Sequence, residues 1–197
     1  SNMWTQTSDL SLTELTLSGA NLVSADGNTH VTNVGLSGTS YWSTSNGNTH
    51  IGGNATLSNA SLWSLANGDT HIGGNATLSS ASNLSLMNGA THIGKDVTLS
   101  GVSYFTFSGN HFRAGNTILA SSSNMTVTSD NLLQSGNFSA TSSFLNVSSN
   151  TMNMMGNAIY VSSVLTGSSN YLIQKDDFSF AGGSWTWSNG NVTLSKG

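Results

Sequence analysis

The chain contains no cysteine and no proline, and charged residues make up only 6% of its 197 positions. Without cysteine there can be no disulfide bond and no thiolate metal site. Without proline, almost every backbone N–H is free to pair with a neighbouring strand. Four Lys and Arg residues stand against eight Asp and Glu residues, which gives a net charge of −4. The sequence therefore lacks the basic patch that nucleic-acid binding requires.

Long apolar runs are also missing. No stretch of about 18 apolar residues exists, so we expect no membrane-spanning segment, and no signal peptide is recognisable. Ser1-Asn2 stands ahead of Met3 and is interpreted as a cloning scar, with a natural leader or flanking repeats left out. We expect residues 3–197 to form a single domain.

What the sequence does have is a repeat of 20 or 21 residues, marked most clearly by a column of asparagine. Such a period indicates one structural unit per repeat, stacked into a solenoid of about nine coils. The amide side chains are expected to form a ladder that links each coil to the next. The members of this column are Asn33, Asn54, Asn75, Asp96, Asn116, Asn137, Asn157 and Asp177, with Glu14 in the preceding position.

Within each repeat, short alternating segments indicate β-strands. Ala55 and Leu57 fall on one side of a segment, and Trp63 and Leu65 fall on one side of the next. Asn-Gly, Gly-Gly and Ser-Gly pairs separate the segments. The sequence therefore predicts an all-β fold, a single-chain parallel β-helix with three sides. Right-handed crossovers are the rule for parallel strands, so we expect a right-handed helix. A flatter two-sheet solenoid is the alternative.

Four histidines recur at the same period, each after a threonine: His30, His50, His71 and His92. Imidazole is a common metal ligand, so stacked histidines are weak candidates for a metal site. The same column is assigned Leu10, Phe112, Leu132, Met152 and Leu172 in the other coils. Because these are apolar, the histidines are predicted to point inward as a buried neutral row. No metal and no cofactor is expected.

An inward histidine row would place its neighbours outside, since side chains alternate along a strand. The result is a predicted uncharged surface stripe, which consists of Thr29, Val31, Thr49, Ile51, Thr70, Ile72, Thr91 and Ile93. Regular threonine rows on β-solenoids are similar to those of ice-binding proteins. Ice binding is therefore one alternative function.

No catalytic constellation is visible. A polysaccharide-cleaving site needs paired carboxylates in a groove, and the acidic residues are scattered over the coils. Only Asp176 and Asp177, beside Lys175, are adjacent, and neighbours in a strand face opposite ways. We expect no enzymatic activity and assign no catalytic residue.

Three segments carry a resemblance to a known family: residues 53–58 (GNATLS), 74–79 (GNATLS) and 95–100 (KDVTLS). They resemble the filamentous-haemagglutinin-type repeats of bacterial surface adhesins, which form right-handed parallel β-helices. The resemblance implies a structural or adhesive stalk or binding segment at the cell surface or secreted, with a glycan or another protein as partner. Self-association or head-to-tail stacking is also expected. A segment of a phage tail fibre or tailspike, located in the virion and binding or cleaving polysaccharide, is the other alternative.

Overall fold

The computed structural model describes residues 3–195, without the side chains of residues 169 and 170, so the interpretation of Ser1-Asn2 as a cloning scar falls outside the described residues. Over these residues the fold is all-β, without helix, and its parallel strands wind into a β-solenoid of about ten turns. The predicted fold class is confirmed, with about one turn more than expected. In the described part of the chain no helix is long and apolar enough to cross a membrane.

The described residues form the following strands: β1 Met3–Gln6, β2 Leu10–Ser18, β3 Asn21–Ser24, β4 Thr29–Ser37, β5 Tyr41–Thr44, β6 Thr49–Ile51, β7 Ala55–Leu57, β8 Leu62–Leu65, β9 Thr70–Ile72, β10 Ala76–Leu78, β11 Asn83–Met87, β12 Ala90–Ile93, β13 Val97–Leu99, β14 Tyr104–Ala114, β15 Thr117–Ala120, β16 Asn124–Gln134, β17 Phe138–Thr141, β18 Phe144–Met154, β19 Ala158–Gln174, β20 Phe178–Ser188 and β21 Asn191–Leu194.

Pairing between coils arranges the strands into three parallel ladders, which we call faces 1, 2 and 3. Face 1 runs β1-β3-β5-β8-β11-β14-β16-β18-β19-β20. Face 2 runs β2-β4-β6-β9-β12-β14-β16-β18-β19-β21. Face 3 runs β2-β4-β7-β10-β13-β15-β17-β19-β20. The longer strands turn a corner and contribute to more than one face.

The core is one continuous stack along the solenoid axis. On face 1, Trp42 and Trp63 are both 0% exposed, and their rings stack with centroids 4.6 Å apart and planes 9° from parallel. Leu84 and Phe105 continue this column, also buried. The predicted inward direction of Trp63 is confirmed. Each coil therefore buries its apolar side chains against the coils before and after it.

The asparagine column forms hydrogen bonds between coils, although not between the amides alone. The backbone N–H of Asn54 donates to Oδ1 of Asn33 at 2.9 Å, and the N–H of Asn75 donates to Oδ1 of Asn54 at 2.9 Å. The same bond recurs at Asp96, Asn116, Asn137, Asn157 and Asp177. Because the contact needs only a side-chain oxygen, aspartate serves as well as asparagine in this column.

A buried serine column occupies the corner between faces 3 and 1. Ser61 Oγ donates to the carbonyl of Leu36 at 3.2 Å, and Ser82 Oγ donates to the carbonyl of Leu57 at 3.1 Å. The residues just before these serines have left-handed backbone, with φ of 61° at Ala60 and 65° at Ala81. The column consists of Ser40, Ser61, Ser82, Ser103, Ser123, Ser143 and Ser163. The same carbonyls of Leu36 and Leu57 accept the backbone N–H groups of Ser58 and Ser79 at 2.9 Å, so each buried hydroxyl is satisfied by the second lone pair of a carbonyl that is already paired.

In the early coils, glycine occupies the turn between faces 1 and 2. Gly68 has φ of +115°, a conformation that L side chains rarely adopt, and a Cβ there would meet the carbonyl of Gly47 in the coil below. Gly47 itself has φ of +96°. The close stacking of these turns therefore requires glycine.

Candidate functional site

The orientation predicted for face 2 is wrong: the threonines and aliphatic residues are inside, and the histidines are outside. Thr49 and Thr70 are each 2% exposed, and Ile51 and Ile72 are each 0% exposed. The rest of the predicted surface stripe is buried with them, namely Thr29, Val31, Thr91 and Ile93. His30 and His50 are exposed, and His71 and His92 are half-buried.

The cause of this error is a register shift of one residue. Strand pairing aligns Thr91 with Phe112 and His92 with Arg113, so the apolar column of the later coils continues the threonines. Leu10 likewise pairs with Thr29. A shift of one residue moves every side chain of a strand to its other side.

The asparagine column could have revealed the correct alignment. Leu132, Met152 and Leu172 each stand five positions before the next residue of the asparagine column, which we call the ladder residue. Thr70 and Thr91 stand at the same distance from theirs. His71 and His92 precede theirs by four. Phe112 also precedes its ladder residue by four, because its coil is one residue shorter, and this coincidence favours the wrong alignment.

Because the predicted stripe is buried, it cannot serve as an ice-binding surface. The hydroxyls of Thr29, Thr49 and Thr70 are buried and have no hydrogen-bond partner among the described residues. These threonines pack in a column of β-branched side chains inside the solenoid, so their hydroxyls are not available to a ligand.

The histidines form an outward row on consecutive strands of face 2. The rings of His50 and His71 lie 4.9 Å apart between centroids and are parallel to within 3°. His71 and His92 are also 4.9 Å apart but nearly perpendicular, at 75°. His30 and His50 are 5.7 Å apart and tilted by 38°. Four imidazoles thus stack at the spacing of the strands beneath them.

Stacking and partial burial disfavour protonation within the row. Partial burial, followed by the charges of His71 and His30, lowers the pKa of His50 below its ordinary value. Partial burial, followed by the charges of His71, Arg113 and His111, lowers the pKa of His92. These two imidazoles therefore favour the neutral form that can act as a ligand.

A groove runs beside the histidine row. It has a volume of about 290 Å³ and is lined by Asn48, Thr49, His50, Asp69, Thr70, His71, Ala90, Thr91, His92 and His111. Asp69 lies two residues before His71, on the same outward side of face 2, and one of its oxygens accepts the N–H of Ala90 at 2.8 Å. Within residues 3–195 no group of three or more His, Asp or Glu side chains is arranged to hold one metal ion. The row therefore offers pairs of imidazoles and not a closed metal cage.

A second, polar groove follows the corner between faces 1 and 2 in the later coils. It has a volume of about 490 Å³ and is lined by Asn88, Ser108, Gly109, Asn110, Thr128, Ser129, Asp130, Ser148, Ser149, Asn150, Ser168 and Asn189. The amide of Asn150 donates to the carboxylate of Asp130 at 3.2 Å, one coil below. The lining presents hydroxyls and amides on successive coils, which is a suitable surface for a polyhydroxylated chain.

Among the described lining residues of the polar groove, Asp130 is the only carboxylate. Cleavage of a glycosidic bond ordinarily uses two carboxyl groups that flank the bond. Asp176 and Asp177, the one adjacent acidic pair, follow β19 and lie outside the lining of either groove. The geometry of the polar groove therefore suits binding better than hydrolysis.

Comparisons of the chain with protein-family models, with curated proteins and with solved structures found no match.

Proposed function

We propose that this chain is a structural and adhesive β-solenoid, a stalk or binding segment of a bacterial protein that is secreted or exposed at the cell surface. Its uninterrupted ladders and nearly constant coil length favour a rod over a catalytic scaffold, since substrate clefts usually need long loops. The resemblance of residues 53–58, 74–79 and 95–100 to filamentous-haemagglutinin-type repeats supports the same function and location. The chain is proposed not to be an enzyme.

The observation that carries an adhesive role is the polar groove at the corner between faces 1 and 2. Its exposed residues Thr128 and Ser148 lie on neighbouring coils. The amide of Asn150 donates to Asp130 between the same two coils, so these polar groups follow one another along the solenoid axis. Hydroxyl and carboxamide groups, repeated from coil to coil at about 4.8 Å, can both donate to and accept from the hydroxyls of an extended glycan. The proposed partner is therefore a linear glycan that lies along the solenoid axis.

A glycan array probed with the whole chain tests this function. We expect binding that Ser148→Arg abolishes, because a long cationic side chain fills the groove. Thr56→Arg is the matched control, since Thr56 is exposed on face 3, away from the groove. An absence of glycan binding, or equal binding by both variants, would overturn the adhesive role of the groove.

The same preparation distinguishes the tailspike alternative. We expect polysaccharides that bind the chain to be recovered intact, because the groove lacks a carboxylate pair among its described residues. Release of shorter saccharides would contradict a purely adhesive function and would favour a polysaccharide-cleaving segment of the virion.

Both ends of the solenoid expose apolar side chains, and we propose that they stack head to tail with a second copy of the chain. Met3 and Trp4 in the first coil are 67% and 65% exposed, and Trp185 and Leu194 in the last coils are 37% and 43% exposed. Sedimentation velocity over a range of concentrations should show reversible association, weakened by Trp4→Lys. A chain that stays monomeric at all concentrations would contradict stacking.

A further inference from the structure

All five histidines of the chain lie on face 2, four of them in one outward column and His111 in the column beside it. Nothing in the packing of the core requires them there, because the residues that fill the interior are the threonines and isoleucines between them. We propose that this row binds a divalent transition-metal ion, with His50 and His71 as its two protein ligands and Cu²⁺ as the preferred ion.

His50 and His71 are closer together than His30 and His50, and as close as His71 and His92. The rings of His50 and His71 are parallel, with centroids 4.9 Å apart, on paired strands β6 and β9. Two nitrogens that bind one ion at about 2.0–2.1 Å each lie at most about 4 Å apart. In parallel stacked rings the ligand nitrogens do not point at a common ion, so binding requires rotation about the side-chain bonds, which the partial exposure of both residues allows.

The surroundings also distinguish the two ends of the row. Asp69 lines the same groove beside His50 and His71 and supplies negative charge to a bound cation. His92 instead lies opposite Arg113 of the paired strand β14, so the guanidinium repels a cation at that end of the row. The charge distribution therefore places the ion between His50 and His71.

The chemistry of the ligands determines the class of ion. Imidazole suits Cu²⁺, Ni²⁺ and Zn²⁺, whereas Mg²⁺ and Ca²⁺ prefer oxygen ligands. Affinity for a site of fixed ligands generally rises to Cu²⁺ in the divalent first-row series. With two protein ligands, the ion keeps open positions for water. The site is therefore suited to exchangeable metal or to a further ligand from outside.

Calorimetric titration of the full, metal-stripped chain with CuCl₂ tests the proposal. We expect His71→Asn to lower the affinity for Cu²⁺ by about tenfold or more, because the second imidazole acts as an intramolecular ligand of the same ion. Asn153 already occupies this column in a later coil, so the fold accepts the substitution. Thr56→Asn, on an exposed position of face 3 outside this groove, is the control and should leave the affinity unchanged within about twofold.

Electron paramagnetic resonance of the Cu²⁺ complex provides a second readout that does not depend on stability. We expect hyperfine coupling of the Cu²⁺ electron spin to two imidazole nitrogens in the parent chain and to one in His71→Asn. An affinity in His71→Asn that matches the affinity of Thr56→Asn, or coupling to a single nitrogen in the parent chain, would overturn the assignment of His50 and His71.

Discussion

Replacement of Thr70 by valine should stabilise the protein. Thr70 is 2% exposed on face 2, and its hydroxyl has no hydrogen-bond partner among the described residues. A buried hydroxyl without a partner costs about 1–3 kcal/mol in protein mutational data. Valine has nearly the same shape without the hydroxyl, so we expect the free energy of unfolding to rise by about 1–2 kcal/mol.

Urea denaturation followed by circular dichroism measures this change as a shift of the midpoint at constant slope. Thr56→Val is the control, because Thr56 is exposed on face 3 and surface substitutions usually change stability by less than about 0.5 kcal/mol. If Thr70→Val destabilised the protein, or shifted the midpoint no more than Thr56→Val, the inward direction of the threonine column would be refuted.

Three further predictions concern the core, the histidine row and the asparagine ladder. Trp63→Ala should cost about 3–5 kcal/mol in urea denaturation, because it leaves a cavity beside the fully buried Trp42. The lowered pKa values of His50 and His92 mean that the unfolded chain binds more protons on acidification, so in chelator-containing buffer the melting temperature should fall as the pH drops below about 6.5. Asn75→Ala should cost about 1 kcal/mol in urea denaturation, because it removes the acceptor of the Asp96 N–H, whereas Asn75→Asp keeps that acceptor and should cost less.

Each of these has a result that would contradict it. A cost below about 0.5 kcal/mol for Trp63→Ala would be typical of a surface residue. A melting temperature that does not change between roughly pH 7 and pH 5 would show that folding leaves the histidine pKa values unaltered. Equal losses for Asn75→Ala and Asn75→Asp would show that the side-chain oxygen is not the group that matters.

The fold was predictable because every coil of a solenoid repeats the same pattern of residues, so the period is visible in the sequence. The asparagine column recurs every 20 or 21 residues, and alternation around Leu57 and Trp63 marks which side is buried. A residue that packs only against its counterparts in neighbouring coils is constrained in the same way in every coil. Period and alternation together are therefore enough to indicate parallel strands and a single apolar core.

The direction of face 2 was predicted wrongly, although the same signals contain the information. In Thr-His-Ile, alternation places the apolar isoleucine on the same side as threonine and so favours that side as the inner one, but the apolar residues assigned to the histidine column pointed the other way. The shorter coil that contains Phe112 then favours the wrong alignment. Distances counted to the asparagine column would have corrected the register, and the bonds between backbone N–H and side-chain oxygen in successive coils give the physical reason.

The two grooves escaped prediction for a different reason. They depend on how the corner between faces 1 and 2 curves, and that curvature follows from backbone conformations such as those at Gly47 and Gly68, which the repeat pattern does not specify. The polar groove is lined by serine, threonine and asparagine, which are equally common on ordinary exposed strands. Only their placement around one concave corner distinguishes them.

Cysteine labelling tests the orientation of face 2 most directly, since the chain has no cysteine of its own. Single variants Thr70→Cys and His71→Cys would be treated with a thiol reagent under native conditions and again after unfolding. We expect the cysteine at position 71 to react in the folded protein and the cysteine at position 70 to react only after unfolding. The reverse order, or equal reactivity at both positions in the folded state, would contradict a solenoid with its threonines inside and its histidines outside.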